Sequence, residues 1–219
     1  MTTLAVTGGI GSGKSAVCHI LSGCGVPVYD SDSRTKALYD SDRCLARRIA
    51  RAMAAFFPQA DVLDTEGKID RKALASIVFS NPDALAALEA LVHPAVLEDF
   101  LRWRMQREEE GCRVVAMESA IILEKPLFRD VADKVIVVDA PFALRLERAC
   151  RRDNAQRDAI EKRMENQRLF NGISNGGTFP DVDYVIVNDS DMTVLKARVD
   201  ALLTELSVDL ERKCKNLNI

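Results

Sequence analysis

Eight residues near the amino end, Gly8-Gly9-Ile10-Gly11-Ser12-Gly13-Lys14-Ser15, have the types and spacing of a loop that wraps phosphate. Glycines let successive backbone N–H groups turn inward around an anion, and a helix opening at Gly13 aims the positive end of its dipole at the same point. Lys14 can then reach the outer phosphates of a nucleoside triphosphate. The Ser15 hydroxyl can ligate the magnesium that bridges them, so Mg2+ is the expected cofactor and Ser15 its protein ligand.

Gly11, Gly13 and Ala16 also satisfy a G-x-G-x-x-A dinucleotide fingerprint, with Asp30 at about the distance of a ribose-binding acid. In that fingerprint the first glycine ends the strand directly. Here Thr7 to Ile10 separate Val6 from Gly11 and make the wider loop that a triphosphate needs.

A second set of chemically able residues follows the apolar run Val26-Pro27-Val28-Tyr29, namely Asp30 and Asp32. Residues two apart on a strand face the same way, and the carboxyl end of a strand in an open α/β sheet borders the ligand crevice. Such a carboxylate can accept a proton from an attacking hydroxyl, hold magnesium through water, or cap the helix that follows. Glu118 ends another apolar run and carries the same ambiguity between metal and cap. A hydroxyl acceptor would make the chain a kinase, because phosphoryl transfer is served mainly by positioning and charge neutralisation.

The elements that must position these groups can be read from periodicity. Apolar β-rich runs at 3–6, 26–29, 113–117, 134–138 and 183–187 alternate with helical stretches, the pattern of a five-stranded parallel α/β sheet. The interval from about 33 to 110 is helix-rich, too long for a crossover, and is expected to be an insertion. Within it Asn81-Pro82 is a helix start, Leu85, Leu88 and Val92 form a stripe, and His93-Pro94 should divide or kink the helix before Val96, Phe100 and Trp103. The arginine-rich stretch Asp153–Asn175, with Gly172, Gly176 and Gly177 at its end, reads as a mobile flap. A last helix, capped from Asp189 or Ser190, should pack Met192, Leu195, Val199, Leu202, Leu206 and Leu210 on the sheet.

Among 219 residues, 47% are hydrophobic and the net charge is −3 with acids and bases interspersed, so no basic field exists to hold a nucleic acid. Six scattered cysteines without C-x-x-C spacing read as buried thiols of a reducing compartment. No apolar run approaches membrane-spanning length, so the expectation is a cytoplasmic protein with no membrane partner.

Taken together, Thr7–Ser15, Asp30-Ser31-Asp32, Asn81-Pro82, Leu91-Val92-His93-Pro94, Ile122-Leu123-Glu124, Leu146-Glu147-Arg148 and Arg152-Asp153 resemble the dephospho-coenzyme A kinases from first strand to last helix. Where that family usually has Asp-Ala-Asp, this chain has Asp-Ser-Asp, and Met117–Leu123 stands where many relatives place a proline and then leucines. The resemblance implies a P-loop kinase fold with a core of 1–32, 111–150 and 178–219, an acceptor-binding insertion of 33–110, and a lid of 151–177. It implies transfer of the ATP γ-phosphoryl group to the 3′-hydroxyl of dephospho-coenzyme A by a monomer or weak homo-oligomer. Asp32 would be the base, with Lys14 and Arg148 stabilising charge. Gly11, Ser12, Gly13, Lys14, Ser15, Ala16, Arg152 and Asn188 would bind ATP, and Asp32 the acceptor; His93, at the kinked-helix position, could meet the acceptor's phosphates or be a satisfied structural residue. Another small hydroxyl acceptor is the alternative. A GTP-hydrolysing switch is disfavoured, since N-K-x-D is absent and Asp64-Thr65-Glu66-Gly67, which fits D-x-x-G, lies deep in the insertion.

Overall fold

The structure is a computed structural model and describes residues 1–167, 170 and 181–216, the side chains of Pro126 and of 208–216 excepted. Residues 168, 169 and 171–177 of the expected lid, with its three glycines, lie outside the described residues, as does the side chain of Leu210. The chain folds as two compact units, Met1–Val28 with Cys112–Ile219, and Tyr29–Gly111.

The first unit holds β1 (Thr2–Thr7), α1 (Lys14–Gly23), β3 (Val114–Glu118), α6 (Pro126–Arg129), β4 (Lys134–Asp139), α7 (Phe142–Asp153), α8 (Arg157–Glu165), β5 (Tyr184–Val187) and α9 (Met192–Asn216). With the short β2 (Val28–Asp30), the strands form one sheet in the order β2-β3-β1-β4-β5. The pairs β1–β3, β1–β4 and β4–β5 are parallel, with Val6 opposite both Glu118 and Ile136. Alternation along the strands sends Leu4, Val6, Ile136, Val138 and Ile186 into a core with Val17, Ile20 and Leu21 of α1 and Leu195, Val199, Leu202 and Leu206 of α9. The opposite face carries Val137 against Phe170. A parallel sheet is buried on both faces, which is why its strands read as continuous apolar runs.

The last helix and the cysteines of both units depart from expectation. The cap of α9 is Asp191, whose carboxylate accepts from the N–H groups of Thr193 and Val194, and it displaces Met192 from the buried face to 56% exposure. The cysteines are mostly not core: of the free thiols described, only Cys18 is buried, while Cys24 and Cys44 are exposed.

The second unit contains α2 (Ser31–Ser41), α3 (Arg43–Ala54), α4 (Arg71–Val78) and α5 (Pro82–Glu109). Each begins on an acid or amide that accepts two backbone N–H groups: Asp30, Asp42, Asp70 and Asn81. The helix α5 is continuous through Pro94, so of the two expected outcomes, two helices or one kinked helix, the division does not occur. Proline removes one backbone hydrogen bond there, but Ala84, Leu88, Val92, Val96 and Phe100 recur every four residues along one buried face, and packing on that stripe outweighs the loss. Leu85, expected in the stripe, falls outside it at 37% exposure.

A polar knot ties α2 to α5. Arg34 forks onto Asp99, its Nε donating to Oδ2 at 2.7 Å and its Nη2 to Oδ1 at 2.8 Å, and the Tyr29 hydroxyl lies 2.8 Å from Oδ2. The Tyr29 ring meets Phe100 edge-on and lies 5.5 Å beneath the Arg34 guanidinium. Burial raises the Tyr29 hydroxyl well above its ordinary pKa, and the Asp99 carboxylate adds to the effect. Burial would raise Asp99 too, but the Arg34 fork and the Tyr29 hydroxyl outweigh it and hold its carboxyl below the ordinary 3.8. Because the folded carboxyl is the stronger acid, ionised Asp99 stabilises the fold above the unfolded pKa. That contribution is lost as pH falls through the folded value. Asp99→Asn should therefore cost about 1–2 kcal/mol at pH 7, the half-exposed Arg34 limiting the loss. Urea melts of both proteins at descending pH should show the gap persisting to 3.8 and closing only below it.

Candidate active site

The phosphate-type loop runs from the end of β1, a strand flanked on both sides by paired neighbours, to the start of α1. Gly13 is the cap of α1 at φ 98°, left-handed backbone that favours glycine. A Cβ there would also overlap the Asn188 amide, which donates to the Ser12 carbonyl at 2.8 Å. Lys14 folds back across the loop, Nζ donating to the Gly8 carbonyl at 2.9 Å and reaching Gly9 O at 3.4 Å. Its ammonium is thus held over the loop that would hold phosphate.

The Ser15 hydroxyl donates to Glu118 Oε1 at 2.9 Å. The register that sets Val6 beside Glu118 makes this meeting possible, because β1 and β3 end level with one another. Glu118 therefore faces Ser15, and the neighbouring Ser119 hydroxyl instead is the acceptor for the Ile121 N–H. A hydroxyl and a carboxylate oxygen side by side are hard oxygen donors of the type magnesium takes.

Asn188 directly follows β5 and joins several parts. Its N–H donates to Asp139 O at 2.6 Å, and its carbonyl accepts from Arg148 Nη1 at 2.9 Å. Arg148 is half-buried on α7 and so stands within one residue's reach of the loop through Asn188. Arg152 is further along α7, at the surface, paired with Asp153 at 2.7 Å. Hydrogen bonds from Arg152 and then Arg163 bring the Asp153 carboxyl down to about 2 and tie the end of α7 to α8. Gly11 and Ser12 lie in the loop itself, and Ala16 in the first turn of α1.

In the second unit the two aspartates divide their work. Asp30 caps α2, accepting from the N–H groups of Asp32 and Ser33 at 3.0 and 3.2 Å. The Asp32 carboxylate is exposed and, among the described residues, makes no hydrogen bond. It lies on the rim of a cavity of about 310 Å³ whose wall is largely apolar, built by Leu74, Val78, Phe79 and Leu88, with Lys36 and Arg71 also lining it. Phe79 is 87% exposed there. His93 is half-buried on α5 and does not line this cavity. The Asp64–Gly67 stretch is a tight turn in which the Asp64 carboxylate accepts from the N–H groups of Glu66 and Lys68. Among the described residues no three acids, cysteines or histidines cluster as a metal site, and no helix is long and apolar enough to cross a membrane.

Sequence reasoning passed over Arg145, which is 1% exposed and donates to the Ile10 carbonyl at 3.1 Å, and Gln167, which accepts from the Ile10 N–H at 2.7 Å. A signal for the first existed: Arg145 lies four residues before Ala149 and beside Leu146, on the apolar face of α7. A charge there is seldom buried without a task.

The sequence model of dephospho-CoA kinase matches residues 2–193. The dephospho-CoA kinase of Chlorobaculum tepidum is 39% identical over 210 residues, covering 95% of this chain and 96% of the relative. That of Porphyromonas gingivalis is 37% identical over 188 residues, 86% of each chain. Among solved structures, the dephospho-CoA kinase from Campylobacter jejuni superposes with a TM-score of 0.68 at 25% identity, over 94% of this chain and 98% of that one. A shikimate kinase from Acinetobacter baumannii, at 12% identity and a TM-score of 0.52, shares the fold. With the phosphate-type loop, the parallel sheet and a family match over most of its length, this chain belongs to the dephospho-CoA kinase family.

Proposed function

We propose that the chain moves the γ-phosphoryl group of ATP to the 3′-hydroxyl of dephospho-coenzyme A, and that the residues described above divide that task. The observation that carries the reading is the loop with Lys14 held across it and Ser15 bonded to Glu118 at its base. Backbone N–H groups of Gly11 to Ser15 and the α1 dipole bind the phosphates. Lys14 leaves its carbonyl partners and follows the charge that spreads over the transferring oxygens. Arg148 leaves the Asn188 carbonyl and adds a guanidinium fork to the same group. Magnesium, when bound with ATP, neutralises β- and γ-phosphate charge. Ser15 would hold it directly and Glu118 through water.

Asp32 serves as base. The acceptor's reacting hydroxyl sits on its ribose, so the groups nearest the base are adenine and the 5′-phosphates, while the pantetheine arm lies farther off. The cavity beside Asp32 suits that neighbourhood: Phe79, Leu74 and Leu88 provide an apolar wall for adenine, and Lys36 and Arg71 provide cations for the phosphates. The unit Tyr29–Gly111 is then the acceptor domain, and the segment 151–177 the lid. The likeness of the relatives, dephospho-CoA kinases over nearly their whole length, supports this choice of acceptor over other small hydroxyls.

Phosphoryl transfer measured with purified enzyme, magnesium ATP and a panel of hydroxyl acceptors tests the reading. Activity confined to acceptors other than dephospho-coenzyme A would overturn it. Asp32→Asn should lower kcat by at least about a hundredfold while the Kd for ATP stays within about twofold, since a base acts on the acceptor. Wild-type turnover in that variant would return Asp32 to the surface of α2. Glu118→Gln should move the magnesium activation midpoint upward by roughly threefold or more with the maximal rate nearly kept at saturating metal, because an amide orients water less well than a carboxylate. An unchanged midpoint would remove Glu118 from the metal's surroundings. Arg148→Lys should lower kcat by about tenfold or more although net charge is kept, because an ammonium lacks the fork. Full turnover would exclude Arg148 from the reacting group.

A further inference from the structure

Ile10 stands at the crest of the phosphate loop, and each of its three parts is held from outside the loop. Its carbonyl accepts from Arg145 Nε at 3.1 Å and its N–H donates to Gln167 Oε1 at 2.7 Å. Its side chain packs on the cluster of Leu146, Ala149, Ile160 and Met164, which joins α7 to α8. Arg145 is fitted closely enough that a Cβ on Gly9 would overlap its guanidinium, and one on Gly11 would overlap its carbonyl.

The guanidinium is also an expensive group for this place. It is 1% exposed, and among the described residues its Nη2 has no hydrogen-bond partner. Burial lowers its pKa, with the Asp139 charge opposing. Breaking even on stability would require a better-satisfied charge, since burying an under-bonded cation costs more than an apolar side chain of the same size. A residue kept for fold stability alone would not look like this.

We infer that Arg145 and Gln167 are positioning residues for nucleotide binding: by gripping the two backbone polar groups of Ile10, they fix the arch of the loop so that the N–H groups beyond it converge on phosphate. The arch would otherwise sample other conformations, and binding would have to select the competent one and lose affinity by that fraction. The grip comes from α7 and from Gln167, two residues past α8, so the described part of the lid segment and the loop that holds phosphate share one fastening point. This inference rests on the reading that the loop holds MgATP.

The side-chain lengths allow a clean test, because Nε2 of glutamine and Cε of methionine both fall where Nε of arginine lies. Arg145→Gln removes the charge and keeps the donor to Ile10, whereas Arg145→Met removes both. The Kd for MgATP, by calorimetry on the full chain, should stay within about twofold of wild type in Arg145→Gln and weaken by roughly three- to tenfold in Arg145→Met. Gln167→Met should weaken it similarly. The double variant Arg145→Met with Gln167→Met should be weakened by less than the product of the single effects, since both act through one residue. The nucleotide-free melting temperature of Arg145→Met should stay within a few degrees of wild type, because losing the donor to Ile10 and losing an under-bonded buried charge oppose one another. Equal affinities for Arg145→Gln and Arg145→Met, multiplicative effects, or a fall in melting temperature that tracks the loss of affinity would each overturn the inference. If Arg145→Met fails to fold, Gln167→Met at the half-exposed end decides by itself, and wild-type affinity there would overturn the grip. Failure of the wild-type chain to bind MgATP would instead overturn the reading of the loop.

Discussion

A tight glycine-rich loop leaves many of its carbonyls without a partner inside the loop, and a carbonyl in a protein interior needs a donor. Here side chains meet that demand. Arg145 serves Ile10, the Asn188 amide serves Ser12, and Lys14 serves Gly8 and Gly9. Three different elements supply them, namely α7, the end of β5 and α1. The sheet order, with β4 and then β5 beyond β1, is what brings α7 and Asn188 to the loop's outer side. The loop's shape is therefore a property of the whole first unit and not of its glycines alone.

The second unit solves a different problem. Its base candidate stands at an exposed helix start, where a side chain has nothing local to fix it. The helix is fixed instead, from both ends of its first turn: Asp30 caps it, and Arg34, two residues past Asp32, is forked to Asp99 on α5. Rigid placement of the helix substitutes for contacts to the carboxylate itself, which leaves Asp32 open to a substrate.

How much of this was legible in the sequence depends on range. The loop and the five parallel strands are local patterns: a glycine spacing and apolar runs. The strand boundaries fell within a residue or two. The order of the strands is not local, and with it went the meeting of Ser15 with Glu118, which looked like an even choice between metal and cap. Local competition also misled. Asp191 outcompeted Asp189 and Ser190 for the α9 cap, and the four-residue stripe of α5 overrode the helix-breaking tendency of Pro94. Arg145 and Gln167 escaped notice because their partner is a backbone group, which has no sequence signature.

The Ser15–Glu118 hydrogen bond has one more consequence. A serine hydroxyl is a rotor with one proton and two lone pairs, and committing the proton to a carboxylate leaves only lone pairs on its remaining side. The oxygen is then oriented as an electron-pair donor before any cation arrives. Threonine could replace it with the same rotor and the same proton. Cysteine could not, because a thiol is a weak donor to carboxylate and a soft ligand, so the direction of one O–H bond sets the hard, electron-rich character of what this position presents.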